Sequence, residues 1–298
     1  MIRLAHFSDI HLTAEPLGWQ ASDWFTKRTA GWVNLTILGR AARFREANDV
    51  MAALRYEFAT RGFDHLVFSG DASTLGFPQE IHRAVQCLGI GDSGVPPGIA
   101  VPGNHDVYIR RNLRQRSFEA AFAPWLVGQR VNGDDYPFAQ KVGHVWLIAL
   151  NSARPNTFAW DASGRVEARQ LSAFQQLCRQ LDAGPRIVVS HYPLLMENHR
   201  PEPFWHRLRN WAEVRDVAAA CGISLWLHGH RHRWYYLPAN DVLPFPTICC
   251  GSSTQLHRWG YHDYTIDGWT LQAVRRSYDE PSQSFRDDTT FTLELPAR

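Results

Sequence analysis

A carboxylate and an imidazole, Asp9 and His11, stand two residues apart just after the first apolar run of the chain, residues 2–7. On an extended backbone such side chains leave on the same side, and together they can hold one metal ion. Alone the pair is a weak signal, because Asp-x-His arises by chance in many chains. It gains weight from four later places with similar chemistry: Gly70-Asp71, Gly103-Asn104-His105-Asp106, Ser190-His191 and Gly229-His230-Arg231-His232. Each follows an apolar run. Carboxylates, imidazoles and an amide oxygen from five strand ends are too many for one ion and suit two ions sharing a carboxylate. Asp, His and Asn donors suit Mn²⁺, Fe or Zn²⁺ better than Mg²⁺ or Ca²⁺, which prefer all-oxygen shells. With few acidic ligands, the pair keeps positive charge that attracts phosphate.

Donors from five distant places need a scaffold that brings strand ends to one rim, and the apolar spacing predicts one. Residues 2–7, 64–69, 99–101, 144–150, 186–190 and 224–228 read as buried strands. Helices are predicted over 42–61, where Val50, Leu54 and Phe58 recur at helical spacing before Gly62, and over 78–88, 166–181 and 211–220. Residues 247–250 read as a short strand, Asp267-Gly268 as a hairpin turn, and 291–295 as a half-exposed strand. In α/β sheets, loops beyond the strand ends gather ligands from distant parts of the sequence. No linker or repeat interrupts the chain. A single domain over 1–298 is expected, with an aromatic-basic insertion at about 17–45 and a β-hairpin region at about 261–298.

Composition narrows the classes. The 298 residues, 45% hydrophobic and 20% charged, supply ample core for one large α/β fold. A net charge of +2 gives no global nucleic-acid signature. The five cysteines, Cys87, Cys178, Cys221, Cys249 and Cys250, include no Cys-x-x-Cys pair. That argues against a disulfide framework or a cysteine zinc site and fits a reducing compartment. No apolar stretch is long enough to span a bilayer, and a cleaved leader would remove Asp9 and His11. A cytoplasmic protein is expected, with peripheral contact at the inner membrane face as an option raised by the insertion.

In order, the five motifs resemble those of the calcineurin-like metallophosphoesterases, over about residues 3–255. The resemblance implies a four-layer α/β/β/α sandwich with two central mixed sheets and a dinuclear metal centre, Mn²⁺ first, with Fe or Zn²⁺ as alternatives. Matched motif by motif, it implies one ion on Asp9, His11, Asp71 and His232. The other ion falls to Asp71, Asn104, His191 and His230, with Asp71 bridging. His105 matches the family's phosphate-contacting acid and Asp106 its orienting partner. Ala72 and Thr74 stand where the family usually has a larger aliphatic residue and Asn or Asp. The implied reaction is hydrolysis of a phosphoester or pyrophosphate. Two ions about 3.5–4 Å apart activate a water and clamp the phosphoryl oxygens, while a protonated His105, held by Asp106, neutralises charge.

The substrate readings divide. The insertion is similar to that of metallophosphoesterases resembling the UDP-diacylglucosamine pyrophosphatases, which points to a lipid-linked nucleotide. The best-known branch of those enzymes usually carries Arg at the position of His105. A cyclic-nucleotide-type phosphodiesterase fits the motifs equally well. A non-catalytic protein-binding scaffold of this fold, such as the retromer subunit, tends to have damaged motifs, whereas no implied ligand is missing here. Arg110, Arg111, Arg114 and Arg116 form either a solvated basic helix face or a substrate-phosphate contact. His228 either lines the site or is a hydrogen-bonded core residue, while His6, His65, His82 and His144 read as packing or surface residues. In the insertion, Trp24, Phe25, Trp32, Val33, Leu35, Ile37 and Leu38 form either a lid core or an interfacial cap. Lys27, Arg28, Arg40 and Arg43 are solvated in the first case and meet anionic headgroups in the second.

Overall fold

Two blocks of parallel strands set the architecture of the computed structural model, which describes residues 1–37 and 39–296. In chain order the elements are β1 (Ile2–Phe7), α1 (Lys27–Thr36), α2 (Ala47–Thr60), β2 (His65–Phe68), α3 (Pro78–Leu88), β3 (Gly98–Ala100), α4 (Arg110–Gln115) and α5 (Ser117–Ala121). Then follow β4 (Phe138–Val142), β5 (Val145–Ala149), α6 (Ala168–Gln180), β6 (Arg186–Val189), α7 (Trp211–Ala220) and β7 (Leu225–His228). The last are β8 (Tyr235–Leu237), β9 (Thr247–Cys249), β10 (Gly260–Asp267), β11 (Thr270–Asp279) and β12 (Ser284–Glu294).

One sheet runs β12-β11-β10-β1-β2-β3 and the other β4-β5-β6-β7-β9-β8. β1, β2 and β3 are parallel, as are β5, β6, β7 and β9. These strands are covered on both faces, so their sequences are near-continuous apolar runs. Alternate residues of the second sheet serve different cores. Val145, Leu147, Ile187, Val189, Leu225 and Leu227 share a core with the first sheet; Trp146, Ile148, Val188 and Trp226 pack with α6 and α7. Across the first sheet, α2 seats Phe58 against Phe7 with ring centroids 4.9 Å apart. Helices, sheet, sheet and helices form the four expected layers. No helix among the described residues is long and apolar enough to cross a membrane.

Some segments depart from expectation. The helix predicted from residue 42 begins at Ala47, because Gly39, at φ +76°, starts a separate 3-10 turn over Arg40–Phe44. β4 and β8 went unpredicted, one being mixed in polarity and the other only three residues long. Asp267 pairs with Thr270, so the hairpin turn is Gly268-Trp269, one residue later than expected. β12 extends that hairpin into a three-stranded meander.

Candidate metal centre

Parallel strands end on the same side, so β1, β2, β3, β6 and β7 deliver their following loops to one rim. The chain turns sharply there. Asp9, His11, Asp71, His230 and His232 all have positive φ, between 43° and 70°. Such conformations cost about 1–3 kcal/mol each in non-glycine residues and persist only where the surroundings over-determine them. Asp106 supplies part of that constraint: its carboxylate accepts the backbone N–H groups of Gly103, Asp71, Ala72 and Ser73 at 2.9–3.2 Å. The loop after β9 supplies more, since Ser252 Oγ donates to the Asp9 carbonyl and Thr254 Oγ1 to that of Ile10, both at 2.7 Å. A Cβ at Gly103 would lie 2.1 Å from Asp71 Oδ1, and one at Gly229 2.3 Å from Asp9 Oδ2, so glycine is required at both.

Ligand-type atoms converge in two groups. In the first, His11 Nε2 lies 3.0 Å from His232 Nε2, 3.9 Å from Asp9 Oδ1 and 3.6 Å from Asp71 Oδ2, and His232 Nε2 lies 3.2 Å from Asp9 Oδ1. In the second, Asn104 Oδ1 lies 3.0 Å from His230 Nδ1 and 3.2 Å from His191 Nε2, itself 3.5 Å from Asp71 Oδ2. Asp71 Oδ2 therefore faces both groups, while its Oδ1 accepts the His105 N–H at 2.8 Å. Donors about 2.1 Å from a common ion stand roughly 3.0–3.4 Å apart in octahedral or tetrahedral geometry, which matches most of these spacings.

The outward nitrogens are also placed for ligation. His11 Nδ1 meets the Ser73 carbonyl at 3.2 Å and His191 Nδ1 that of Ser69 at 2.8 Å. His232 Nδ1 meets Gln255 Oε1 at 2.5 Å, and His230 Nε2 lies 3.4 Å from Glu202 Oε2. A metal-binding imidazole commonly donates its other N–H to such oxygens, which fixes ring and tautomer. Burial holds His11 and His230 well below the usual histidine range, in the neutral form that ligates. Burial also acts downward on His191, but the Asp71 carboxylate outweighs it and raises that imidazole to about 9. Buried Asp9 Oδ1 accepts no hydrogen bond among the described residues. An orphaned carboxylate oxygen facing two imidazole nitrogens fits a cation, so the residues present suit a dinuclear centre.

His105 and Asp106 differ from expectation. Asp106 is spent on four backbone N–H groups and Ser73 Oγ, and the Thr74 carbonyl instead receives His105 Nδ1–H at 2.6 Å. Arg40 Nη2 points at His105 Nε2 from 3.1 Å, so that nitrogen is an acceptor. Burial, with Arg40 adding to it, pushes the imidazole down to about 3, and His105 is neutral rather than a resident cation. Tyr108 stacks on its ring with centroids 5.3 Å apart, and Lys27 Nζ sits 4.2 Å over the Tyr108 ring.

Arg40 went unrecognised as a site residue because it reached notice only as one of several basic residues in the insertion. Phe44, from the same turn, lies 5.1 Å from the His11 ring. Glu202 and Gln255 were missed too. Only the stiff Pro201-Glu202-Pro203 setting offered a signal.

The remaining candidates sort by exposure. Arg110 and Arg114 are exposed on α4, whereas Arg111 turns to Asp23 and Gln20. His228 is fully buried against Tyr235, with Nδ1 on the Gly229 carbonyl, and presents no surface to a substrate. The insertion matches neither earlier reading throughout. Lys27 and Arg28 are buried, not solvated or free for headgroups. Arg28 pairs with Asp23 at 2.8 Å, donates to the Leu75 carbonyl and lies over the Phe77 ring. Trp32 and Leu35 join a small core with Leu75, Phe77, Tyr108 and Ile109. Trp24, Phe25 and Ile37 are 52%, 92% and 69% exposed. Leu38 lies outside the described residues.

Comparison with known proteins agrees with this geometry. The calcineurin-like phosphoesterase family model matches residues 2–234. No curated protein matches the sequence. Among solved structures, a dimetal phosphatase from Danio rerio superposes with a TM-score of 0.67 at 13% identity, covering 99% of each chain. A purple acid phosphatase from yellow lupin seeds gives 0.62 at 13% identity, covering 98% of this chain and 53% of its own. GAP50, the anchor in the inner membrane complex of Plasmodium, gives 0.53 at 11% identity, covering 99% of this chain and 89% of its own. At such identities these likenesses establish the fold, and the family match establishes the rest: the chain belongs to the calcineurin-like phosphoesterases and is a metal-dependent phosphoesterase.

Proposed function

We propose that the chain hydrolyses phosphoester or pyrophosphate bonds with two divalent transition-metal ions, Mn²⁺ first among them. Asp9, His11, Asp71 and His232 hold one ion; Asp71, Asn104, His191 and His230 hold the other. The observation that carries this reading is the position of Asp71 Oδ2, 3.6 Å from His11 Nε2 on one side and 3.5 Å from His191 Nε2 on the other. When bound, such ions supply an activated water and clamp the phosphoryl oxygens for in-line attack. Two carboxylates against two divalent cations leave net positive charge for phosphate. Arg40 extends that field, with a guanidinium fork suited to phosphoryl oxygens. His105 Nδ1–H, fixed on the Thr74 carbonyl, aims Nε2 at the same place. A phosphate oxyanion brought against Nε2 raises its proton affinity, so protonation accompanies substrate binding.

A lipid-linked nucleotide such as UDP-diacylglucosamine is the substrate class we favour, at the inner membrane face. Supporting it, exposed Phe25 shares a cavity of about 510 Å³ with Lys27, Arg110 and Asn156. Exposed Phe158 and Trp160 follow just beyond in the chain. A cyclic-nucleotide phosphodiesterase would use the same metal floor and leave this aromatic rim without a role. The test is hydrolysis with Mn²⁺ of bis(p-nitrophenyl) phosphate, cyclic AMP, UDP-diacylglucosamine and simple monoesters. Turnover strongest on the lipid nucleotide is expected. Turnover strongest on cyclic AMP would replace the substrate, and no turnover on any would remove the enzymatic reading.

A further inference from the structure

A second cluster of metal-binding side chains lies inside the protein, apart from the rim. His6 in β1 and His262 in β10 are direct partners across the antiparallel ladder. Cys250 follows β9 of the other sheet. One ligand atom from each of the three lies within 4.8 Å of the others, and all three residues are fully buried. Neither ring nitrogen of His262 has a hydrogen-bond partner among the described residues. An unmet buried polar atom costs about 1–3 kcal/mol, so this imidazole calls for a partner. His6 has two hydroxyl neighbours, Tyr264 at 3.2 Å and Ser69 at 3.0 Å, and can exchange either. Cys250 Sγ, 3.0 Å from the His6 carbonyl, completes the group.

We propose that His6, Cys250 and His262 form a binding site for a thiophilic d¹⁰ cation, Zn²⁺ or Cu⁺, which staples the two sheets together. One thiolate and two imidazoles are donors that both ions favour. Ligand atoms on one such ion stand roughly 3.3–3.7 Å apart in tetrahedral geometry, so atoms within 4.8 Å of one another close by at most about 1.5 Å to reach it. The Cys250 proton leaves to solvent as the sulfur binds. Burial pushes the Cys250 thiol up, and the Arg275 guanidinium, ion-paired to Asp288 at 3.3 Å, works against that shift without cancelling it, so the anion depends on the bound cation. Trp234 and Arg275 help to line a cavity of about 580 Å³ on the solvent side of the buried cluster. The Trp234 ring is 6.1 Å from that of His262. The cysteine spacing in the sequence argued against a cysteine-rich zinc site. The fold instead brings one cysteine and two histidines together from strands far apart in the chain. The staple ties β1 to the loop carrying Ser252 and Thr254, which hold the Asp9 turn.

The rim group contains no sulfur, which gives the test its specificity. Chelator-treated full-length protein is reloaded with Co²⁺ and examined for thiolate-to-cobalt charge transfer in the near ultraviolet. The band is expected in the wild type, lost in Cys250→Ser and weakened in His262→Gln. Dialysis against Zn²⁺, and separately against Cu⁺ under reducing conditions, should show one fewer ion bound by each variant; the ion bound more tightly is the occupant. If Cys250→Ser does not fold, His262→Gln gives the same comparison. Absence of the band in the wild type, its persistence in Cys250→Ser, or equal ion counts in wild type and variants would overturn the proposal.

Discussion

The floor and the roof of the site are built on opposite principles. The floor consists of the turns after β1, β2, β3, β6 and β7. Its residues Asp9, His11, Asp71, Asn104 and His191 are at most 5% exposed, and backbone hydrogen bonds from Asp106 and the loop after β9 lock it. The roof is the insertion of residues 17–45, made of short helical turns around α1. It carries Phe25 at 92% exposure, yet it rests on a buried Arg28–Asp23 pair. The floor holds strained backbone at fixed distances, as a metal site needs. The roof combines a firm anchor with an open apolar edge, as suits selection among substrates. On the proposed function, chemistry belongs to the floor and substrate choice to the roof.

The largest effect that would sharpen this division is expected at Asp71. Asp71→Asn weakens both ions at once and should lower Mn²⁺-dependent diester hydrolysis about a thousandfold or more. His232→Ala, which touches one group only, should cost less. A loss at His232→Ala equal to that at Asp71→Asn would argue against a shared ligand.

Arg40 is the point where the roof reaches the floor. Arg40→Ala should reduce kcat/KM about 10–100-fold, as loss of one charge-assisted phosphate contact does. His105→Ala removes its neighbour, so the double variant should lose little more than the worse single one. Similar losses for p-nitrophenolate and alkoxide leaving groups are expected, because the proton that His105 takes up on binding answers the phosphoryl oxyanion rather than the leaving oxygen. A selective loss with the poorer leaving group would restore general-acid work to His105.

The contrast also explains what was legible in the sequence. The floor is written in short motifs that directly follow apolar strands, so Asp9, His11, Asp71, Asn104, His191, His230 and His232 could be picked out residue by residue. The apolar runs marked the parallel strands one by one, while their division into two sheets came from the family resemblance. Adjacency in sequence misled at Asp106: the turn after Asn104 sends its carboxylate back to the Asp71 loop, away from the His105 ring. The roof depends on tertiary packing. Nothing in the spacing of Arg28 and Arg40 tells that one is buried under Phe77 while the other meets His105. Glu202 and Gln255 reach their histidines from loops with no periodic pattern at all.

A smaller effect concerns the outer edge of the roof. Trp24→Ser/Phe25→Ser should reduce co-sedimentation with anionic vesicles several-fold at low salt while sparing hydrolysis of a soluble diester. Trp32 is left intact because it belongs to the lid core. Unchanged vesicle binding in this variant would leave the aromatic edge without a membrane role.

The smallest is a stability change at Lys27. Burial is the main cause that lowers its ammonium from the usual 10.5 to about 8, while Asp161 and Asp71 pull the other way. Between those values the unfolded chain binds more protons than the folded one, so this residue's cost to stability is fully present below pH 8. The cost is relieved as pH rises towards 10.5. Lys27→Met should therefore raise Tm by a few degrees at neutral pH, with the gain shrinking as pH rises, while weakening binding of anionic substrates. A gain independent of pH would mean that packing, not charge, is responsible.

Electron paramagnetic resonance of the Mn²⁺-loaded protein, with the metal counted on the same sample, tests the central claim most directly. Ions about 3.5–4 Å apart that share the Asp71 carboxylate are magnetically coupled. The expected result is two Mn²⁺ per chain with the spectrum of a coupled pair, reverting to isolated or absent ions in Asp71→Asn. One Mn²⁺ per chain, or two with the spectra of isolated ions in the wild type, would contradict a dinuclear centre bridged by Asp71.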